Sequence, residues 1–291
     1  MTKKILFILN PKAGSGLNKT IAEIIKKRFD EKDFEYEIIH TAHPGHAIEL
    51  SRNAVKNNFD IVAAAGGDGT INEAAQSLKN THASLAIIPT GSGNGFARHF
   101  NIPLNIEKAI GVIKNGKTVT VDSMLINGRF CMNIAGAGFD AHIAHLFANY
   151  GRRGFISYVK LVIREYFSYG EKKYFIEYDG KKISASAFLI AISNASQFGN
   201  GAKISPLAET DDGLIDVTVL KKIPLHKIIF VVSKMFNGTL SGSAYAEIIK
   251  SKSFTISSDE DIATHIDGEP GIICRKIIAE NIPLSVKLIV P

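Results

Sequence analysis

The feature that most limits how this chain can fold is the segment IVAAAGGDGT, residues 61–70, in which an apolar run ends at two glycines. A strand built from such a run has no side suited to water, so it must be covered on both faces. Other strand-like segments occupy residues 3–9, 34–40 and 84–89, and segments with the apolar spacing of helices separate them. This alternation predicts a parallel sheet covered on both sides, as in a Rossmann-like α/β domain.

The second half of the chain follows a different pattern. From about residue 117 strand-like segments succeed one another, and turn pairs such as Asn127-Gly128 and Asp179-Gly180 separate several of them. Two helical stretches, residues 155–167 and 225–236, interrupt the series. We therefore predict an α/β domain over residues 1–125 and an antiparallel, β-rich, sandwich-like domain over residues 126–291, whose final strand is free to return to the first domain.

Composition narrows the class of protein. Apolar residues make up 45% and charged residues 21%, which is typical of a soluble globular protein. No apolar stretch is long enough to span a bilayer, and no signal-peptide pattern is present, so we expect a cytoplasmic protein. The net charge of +6 favours an anionic partner such as a nucleotide or an anionic membrane. Nucleic acid is not expected, because the sequence lacks an arginine-rich helix or an aromatic-basic motif.

Three glycine-rich loops leave the carboxyl ends of the predicted parallel strands, where ligands bind in such sheets. Their sequences are NPKAGSG (10–16), GGDGT (66–70) and PTGSGNGFARH (89–99). Small residues let backbone N–H groups approach a ligand, and successive N–H groups near a helix start favour phosphate. Asp68 would repel a phosphate unless a cation lay between them, and Mg²⁺ binds nucleotide phosphates through one or two carboxylates and several waters. The loops therefore predict a phosphate site with a magnesium ion near Asp68.

Taken in order, these motifs resemble the diacylglycerol kinase catalytic-domain family, which includes bacterial lipid kinases and is related to sphingosine and ceramide kinases. The resemblance continues through VDSMLINGRFCMNIAGAGFD, SNASQFGNGAKISPLAETDDGLIDV and HIDGEP, so it covers nearly the whole chain. It implies ATP bound between the two domains, with Mg²⁺, and transfer of the γ-phosphate to a lipid hydroxyl. The implied acceptor is a diacylglycerol-, phosphatidylglycerol- or sphingoid-type lipid at a membrane surface, which places the enzyme in lipid metabolism.

The resemblance also implies a set of site residues. Glu269 would be the catalytic base, and Asp68 is the second candidate catalytic residue. The carboxylate of Asp212 and the backbone carbonyls of Glu209 and Leu214 would hold Mg²⁺. The implied nucleotide contacts are Asn10, Pro11, Lys12, Ala13, Gly14, Thr41, Gly66, Gly67, Asp68, Gly69, Thr70, Ile71, Asn72 and Ser92.

Several residues leave alternatives open. Gly95 stands where bacterial diacylglycerol kinases usually carry an aspartate of the metal–water network. The acceptor lipid is therefore open, and that network is left to Asp68 and Asp122. Asp267 competes with Glu269 for the role of base, because a turn at Gly268 hides which acid faces a substrate.

Other functions and contacts also stay open. An NAD kinase shares GGDGT, and a non-catalytic relative that binds lipid or nucleotide would keep the fold. The segment 146–170 mixes aromatic, aliphatic and basic residues. Packing against the second domain is the favoured interpretation, and peripheral contact with the inner face of the membrane is the alternative. A homodimer is neither indicated nor excluded.

Overall fold

The computed structural model describes residues 2–14, 18–29, 34–148 and 155–291. These residues form two compact units: unit 1 comprises Met1–Asp122 with Leu284–Pro291, and unit 2 comprises Ser123–Pro283. The domain boundary predicted near residue 125 remains a prediction; the division into compact units falls after Asp122. Ser15 and Gly16 of the first glycine loop lie outside the described residues, as do residues 149–154 of the segment 146–170.

The strands are β1 (Lys3–Leu9), β2 (Phe34–His40), β3 (Ile61–Gly66), β4 (Ser84–Pro89), β5 (Lys117–Ile126), β6 (Arg129–Cys131), β7 (Ile134–Gly138), β8 (Lys172–Tyr178), β9 (Lys181–Ala187), β10 (Leu189–Ser193), β11 (Ile215–Leu220), β12 (Ala246–Ser251), β13 (Ser253–Ile266) and β14 (Glu269–Val290). The helices are α1 (Asn18–Arg28), α2 (His46–Lys56), α3 (Asp68–Leu78), α4 (Gly95–His99), α5 (Ile106–Asn115), α6 (Phe139–Ala148), α7 (Phe155–Ser168) and α8 (Leu225–Asn237).

Unit 1 is the predicted parallel α/β domain. Its strands lie in the order β2-β1-β3-β4, and the end of β14 pairs with β4, all in parallel. Strand β3 is buried along its whole length, as expected for a strand covered on both faces. The core between the sheet and helices α1 and α5 contains Phe7, Ile25, Ala63, Ile88 and Ile110. The prediction of a Rossmann-like first domain is confirmed.

The strand register brings the three glycine loops together. Leu9 pairs with Ala65, and Gly66 pairs with Pro89, so β1, β3 and β4 end at the same level. The loops that start at residues 10, 67 and 90 therefore leave the sheet side by side at its carboxyl edge.

Unit 2 is antiparallel and β-rich, which confirms the second part of the predicted fold class. Its strands follow the order β12-β11-β10-β7-β13, and β13 also pairs with β14 and with the β8–β9 hairpin. The strands enclose a core that includes Tyr174, Ile190, Val217 and Phe254. A second core, around Phe139, Leu161 and Val231, joins helices α6, α7 and α8 to the strands.

Candidate functional site

The first glycine loop is fastened to the second through Asn10. Its backbone N–H donates to the Ala65 carbonyl at 2.9 Å, and its side-chain amide donates to the Thr70 hydroxyl at 2.8 Å. Its side-chain oxygen accepts the Lys12 N–H at 2.9 Å, which turns the chain back on itself. The structure thus places Asn10 and Thr70, both predicted nucleotide contacts, in direct contact. Of the remaining predicted residues in this loop, Pro11 and Lys12 are exposed, and Ala13 and Gly14 are half-buried.

The second and third loops touch through glycine. A Cβ on Gly91 would lie 2.5 Å from the Cα of Gly67, and a Cβ on Gly66 would lie 2.4 Å from the Cβ of Thr70. The backbone N–H of Thr90 donates to the Gly66 carbonyl at 3.0 Å. These glycines are therefore required by the packing of the loops themselves, in addition to any approach to a ligand.

Asn94 organises the third loop, and the sequence analysis did not single it out. Its side chain accepts the Gly91 N–H at 2.9 Å and donates to the Gly91 carbonyl at 2.7 Å. Its φ is 49°, a left-handed conformation that asparagine tolerates better than most residues. The available signal was the Asn between two glycines in GSGNG, which is typical of such a turn.

Asp68 joins the second loop to the third. One carboxylate oxygen accepts the Gly95 N–H and the other accepts the Phe96 N–H, both at 3.2 Å, at the start of α4. Burial raises the pKa of this carboxyl, although the backbone N–H groups act in the opposite direction. Asp68 therefore has a structural task at Gly95, the position where the resemblance expects an aspartate. The carboxylate is half-buried and still reaches the edge of the sheet.

The other predicted nucleotide contacts lie along the same edge with different exposures. The Thr41 N–H donates to the last residue of β1 at 2.9 Å, which holds the start of that loop beside the first one. Ser92 is exposed, while Gly69 and Asn72 are half-buried. The side chain of Ile71 is buried, so only its backbone can face a nucleotide. Asp122, the other acid left to the metal–water network, is fully buried, and its Oδ1 accepts the Leu284 N–H at 2.6 Å.

Glu73 is a second residue that sequence reasoning did not assign. Its Oε1 accepts the Gly45 N–H at 2.9 Å, which ties α3 to the start of α2. The signal was the Asn-Glu pair that follows GGDGT. The first turn of α2 and the residues just before it carry a group of side chains, within the described ranges, close enough to share a metal ion, namely His43, His46 and Glu49. However, Nδ1 of His46 accepts the Ala42 N–H at 3.0 Å, so a neutral His46 carries its proton on Nε2 and neither ring nitrogen has a free lone pair for a metal.

In unit 2, the HIDGEP segment forms a two-residue hairpin turn between β13 and β14. Asp267 and Gly268 have φ values of 49° and 83°, as in a type I′ turn. The Asp267 carboxylate accepts the backbone N–H groups of Met132, Asn133 and Ile134 at 3.3, 3.1 and 2.9 Å. Glu269, the first residue of β14, is exposed, and no hydrogen bond or ion pair joins its side chain to the described residues. Of the two acids in this turn, Asp267 is therefore held by backbone donors and Glu269 is exposed to solvent.

The predicted metal residues lie in unit 2 before β11. Asp212 Oδ1 accepts the Leu214 N–H at 2.9 Å, and Asp212 Oδ2 accepts a hydrogen bond from Lys250 Nζ at 3.0 Å. The same ammonium donates to the Leu207 carbonyl at 3.0 Å and lies 3.4 Å from Asp216 Oδ2. Although burial acts to lower it, the pKa of Lys250 is raised by these two carboxylates. Both oxygens of Asp212 are therefore engaged by protein donors.

A buried pair in unit 2 also escaped the sequence analysis. His265 Nε2 lies 3.0 Å from Asp140 Oδ2, and both contact Gly136, where a Cβ would lie 2.5 and 2.3 Å from these atoms. This pair joins α6 to β13 close to the Asp267 turn. The signal was present as Asp140 in GAGFDA and His265 in HIDGEP, but nothing in the sequence pairs two residues so far apart.

Comparison with known proteins assigns these units to families. The two units belong to the class in which an α/β domain precedes an antiparallel, sandwich-like domain. The profile of the diacylglycerol kinase catalytic domain matches residues 4–126, and that of the YegS C-terminal NAD kinase beta sandwich-like domain matches residues 133–290. The chain therefore belongs to the diacylglycerol kinase catalytic-domain family, a family of kinases.

Several known proteins are similar to this chain over most of their length. The chain is 29% identical to a diacylglycerol kinase of Bacillus subtilis (strain 168), over 92% of this chain and 90% of the relative. It is 27% identical to a diacylglycerol kinase of Staphylococcus saprophyticus, over 93% of this chain and 90% of the relative. A solved structure of a proposed diacylglycerol kinase from Bacillus anthracis str. Sterne is 25% identical and superposes with a TM-score of 0.80, covering 99% of this chain and 97% of that chain.

Proposed function

We propose that this protein is an ATP- and Mg²⁺-dependent lipid kinase that transfers the γ-phosphate of ATP to a lipid hydroxyl. The observation that carries the proposal is the carboxyl edge of unit 1. There three glycine loops are held together by Asn10, Thr70 and the Gly67–Gly91 contact. Backbone N–H groups in such loops suit the phosphates of a nucleotide. The family and the names of the relatives support a lipid acceptor.

Asp68 fits a magnesium ion better than Asp212 does. Burial raises the pKa of the Asp68 carboxyl, and among the described residues no lysine or arginine offsets its charge, so a cation beside it would stabilise the ionised form. Both oxygens of Asp212 already accept hydrogen bonds from Leu214 and Lys250. We therefore assign Mg²⁺ to the edge at Asp68, where the ion would neutralise charge on the phosphates.

Glu269 is the better candidate for the catalytic base. A general base must reach the hydroxyl whose proton it removes, and the exposed Glu269 carboxylate is not held by any described donor. The Asp267 carboxylate accepts hydrogen bonds from three backbone N–H groups. These hydrogen bonds would have to break before the carboxylate could accept a proton from a substrate. In this proposal Asp267 fixes the turn and Glu269 orients and deprotonates the lipid alcohol.

The test is a radiolabelled-ATP transfer screen over diacylglycerol, monoacylglycerol, phosphatidylglycerol, sphingosine, ceramide and dihydroceramide, with NAD as a further acceptor. Label in one lipid, dependent on Mg²⁺, is the expected result. Label in NAD alone would make the protein an NAD kinase, the soluble alternative that also carries GGDGT. ATP binding by calorimetry without transfer to any acceptor would indicate a non-catalytic relative, for which Gly95 is the supporting residue.

A further inference from the structure

Helix α8 has an unusually apolar exposed face. Of its residues only Val231 is fully buried, and Ile228 and Met235 are partly buried against the core of unit 2. Ile229 is 85% exposed, although isoleucine is ordinarily among the most buried residue types. The other large apolar side chains that α8 exposes are Leu225, Phe230, Val232 and Phe236. A face of this size on a single short helix marks an interaction surface.

The spacing of these residues explains the geometry. Ile228, Val231 and Met235 are three and four residues apart and form the stripe that packs inward. Leu225, Ile229, Val232 and Phe236 repeat the same spacing one quarter-turn away and form a second stripe that is exposed. Phe230 lies further round the helix, beyond the exposed His226 and Ser233, so the exposed apolar surface of α8 consists of this stripe together with Phe230.

The end of α7 adds to this surface. The Tyr166 hydroxyl donates to the carbonyl of Ile223, two residues before α8, so the two helices are joined there. Helix α7 exposes Ile163 and Phe167 as well. Among the described residues no helix is long and apolar enough to cross a membrane, and α8, with 13 residues at 1.5 Å each, is shorter than a bilayer is thick.

The charges around this face favour an anionic occupant. Helix α8 contains no aspartate or glutamate, and its Lys227 and Lys234 lie on the side of the helix away from the exposed stripe, next to Phe230. The Lys234 ammonium lies 5.1 Å above the Phe230 ring, so its charge sits at the border of the apolar face. Lys221 and Lys222 precede the helix, and the whole chain has a net charge of +6. A second copy of this chain would offer no acid from its α8 to pair with these lysines.

We infer that the outward face of α8, with the exposed end of α7, inserts into the interfacial layer of an anionic lipid bilayer. The apolar side chains would enter the boundary between headgroups and acyl chains, and the lysines would contact anionic headgroups. The inference rests on the proposed function, because an enzyme that phosphorylates a bilayer lipid must reach the bilayer. From the sequence, packing was the favoured interpretation of the segment 146–170 and membrane contact the alternative; the surface inferred here includes the end of α7 from that segment and adds α8.

Cosedimentation of the full chain with vesicles, without ATP, tests this inference. We expect binding to vesicles of equal parts phosphatidylglycerol and phosphatidylcholine and little binding to phosphatidylcholine alone. The double variant Ile229→Ser/Phe236→Ser should bind the anionic vesicles about tenfold or more weakly. Both side chains are exposed, so circular dichroism and the thermal midpoint should be unchanged. Ile273→Ser, which removes an isoleucine that is 65% exposed on β14, is the matched control and should bind like the wild type.

A charge variant and a self-association measurement complete the test. Lys227→Glu/Lys234→Glu should weaken vesicle binding and its dependence on salt, while Lys26→Glu/Lys27→Glu on α1 should change both far less. Unchanged vesicle binding by the α8 apolar variant would overturn the inference. So would a wild-type dimer in sedimentation velocity that this variant converts to a monomer, since α8 would then be a face between two copies.

The vesicle test is separate from the test of the proposed function. In detergent micelles, where the lipid comes to the enzyme, the Ile229→Ser/Phe236→Ser variant should keep wild-type kinase activity. Binding to vesicles through α8 by a protein that phosphorylates no lipid would leave this inference standing and contradict the proposed function. Lipid kinase activity on vesicles that the α8 variants do not change would support the proposed function and contradict this inference.

Discussion

Two acid–glycine turns of unit 2 use their carboxylates in different ways. In the Asp267–Glu269 turn, three backbone N–H groups hold Asp267 and leave the Glu269 carboxylate exposed. In the turn that precedes β11, a backbone N–H and the Lys250 ammonium take both oxygens of Asp212. The first turn therefore presents an acid that is available for chemistry, and the second presents an acid that is committed to the fold.

The difference comes from residues distant in sequence. Met132 to Ile134 supply the donors for Asp267, and they precede it by more than a hundred residues. Lys250 reaches Asp212 because β12 pairs with β11 in a register that places Lys250 opposite Asp216. Whether an acid in a turn is structural or available thus depends on the strands that pass beside it. The following predictions test this distinction, from the largest expected effect to the smallest.

The largest effect is expected at Glu269. Replacement by glutamine keeps size and hydrogen bonding but removes basicity, so Glu269→Gln should lower kcat by about 10²- to 10⁴-fold and leave ATP affinity unchanged. Steady-state kinetics on the lipid found by the screen measure both quantities. Glu280→Gln, which changes an exposed acid elsewhere on β14, should have wild-type kinetics. A Glu269→Gln enzyme within a few-fold of the wild type would move the base to Asp267 or Asp68.

Asp68 is the intermediate case, since it supports α4 and is also proposed to act on the phosphates. Asp68→Asn keeps an oxygen that can accept one of the two N–H groups from Gly95 and Phe96, so the fold should persist. Loss of the negative charge beside the metal should lower kcat/KM by about 10²- to 10³-fold, the usual scale for a group that stabilises transition-state charge. Full activity at saturating Mg²⁺ would show that this carboxylate serves the third loop alone.

Replacing Asp267 should lower the stability of the fold more than replacing Glu269 does. Asp267→Ala leaves three backbone N–H groups without their charged acceptor, which should lower the free energy of unfolding by about 2 to 3 kcal/mol. The thermal midpoint of the Asp267→Ala protein should fall by several degrees, whereas that of Glu269→Ala should stay within about a degree. Equal midpoints for the two variants would remove the distinction between the two acids.

Much of this architecture could be predicted from the sequence because it depends on local patterns. The apolar run of β3 and the alternation of strands and helices gave the parallel sheet, and the spacing of the loops placed them on one edge. The partners of the acids could not be predicted, because the registers that bring Lys250 to Asp212 and Met132 to Asp267 are not visible in a single sequence. The exposed face of α8 could not be predicted for a related reason. Its two apolar stripes look alike in sequence, and only packing shows which one is covered.

The last prediction concerns Lys250, which holds the second acid turn through Asp212 and also lies beside the buried Asp216. Burial raises the pKa of Asp216 to about 6, while the nearby Lys250 ammonium favours its ionised form. Because the folded pKa exceeds the ordinary value of 3.8, the folded state holds more protons, and stability falls as pH rises from about 4 to 6. Lys250→Met removes the compensating charge and should extend this fall to higher pH.

We expect the smallest of the four effects here, about 1 to 2 kcal/mol near neutral pH, because the Lys250 side chain is 32% exposed and partly screened. The loss in thermal midpoint should nearly disappear near pH 5, where Asp216 becomes protonated, and Lys252→Met should show no such pH dependence. Added Mg²⁺ should stabilise Lys250→Met, in which Asp212 is released, more than it stabilises the wild type. If instead Mg²⁺ strongly stabilises the wild type and Asp212→Asn abolishes that response, the ion displaces Lys250, and the second turn is a metal site as the family resemblance implies.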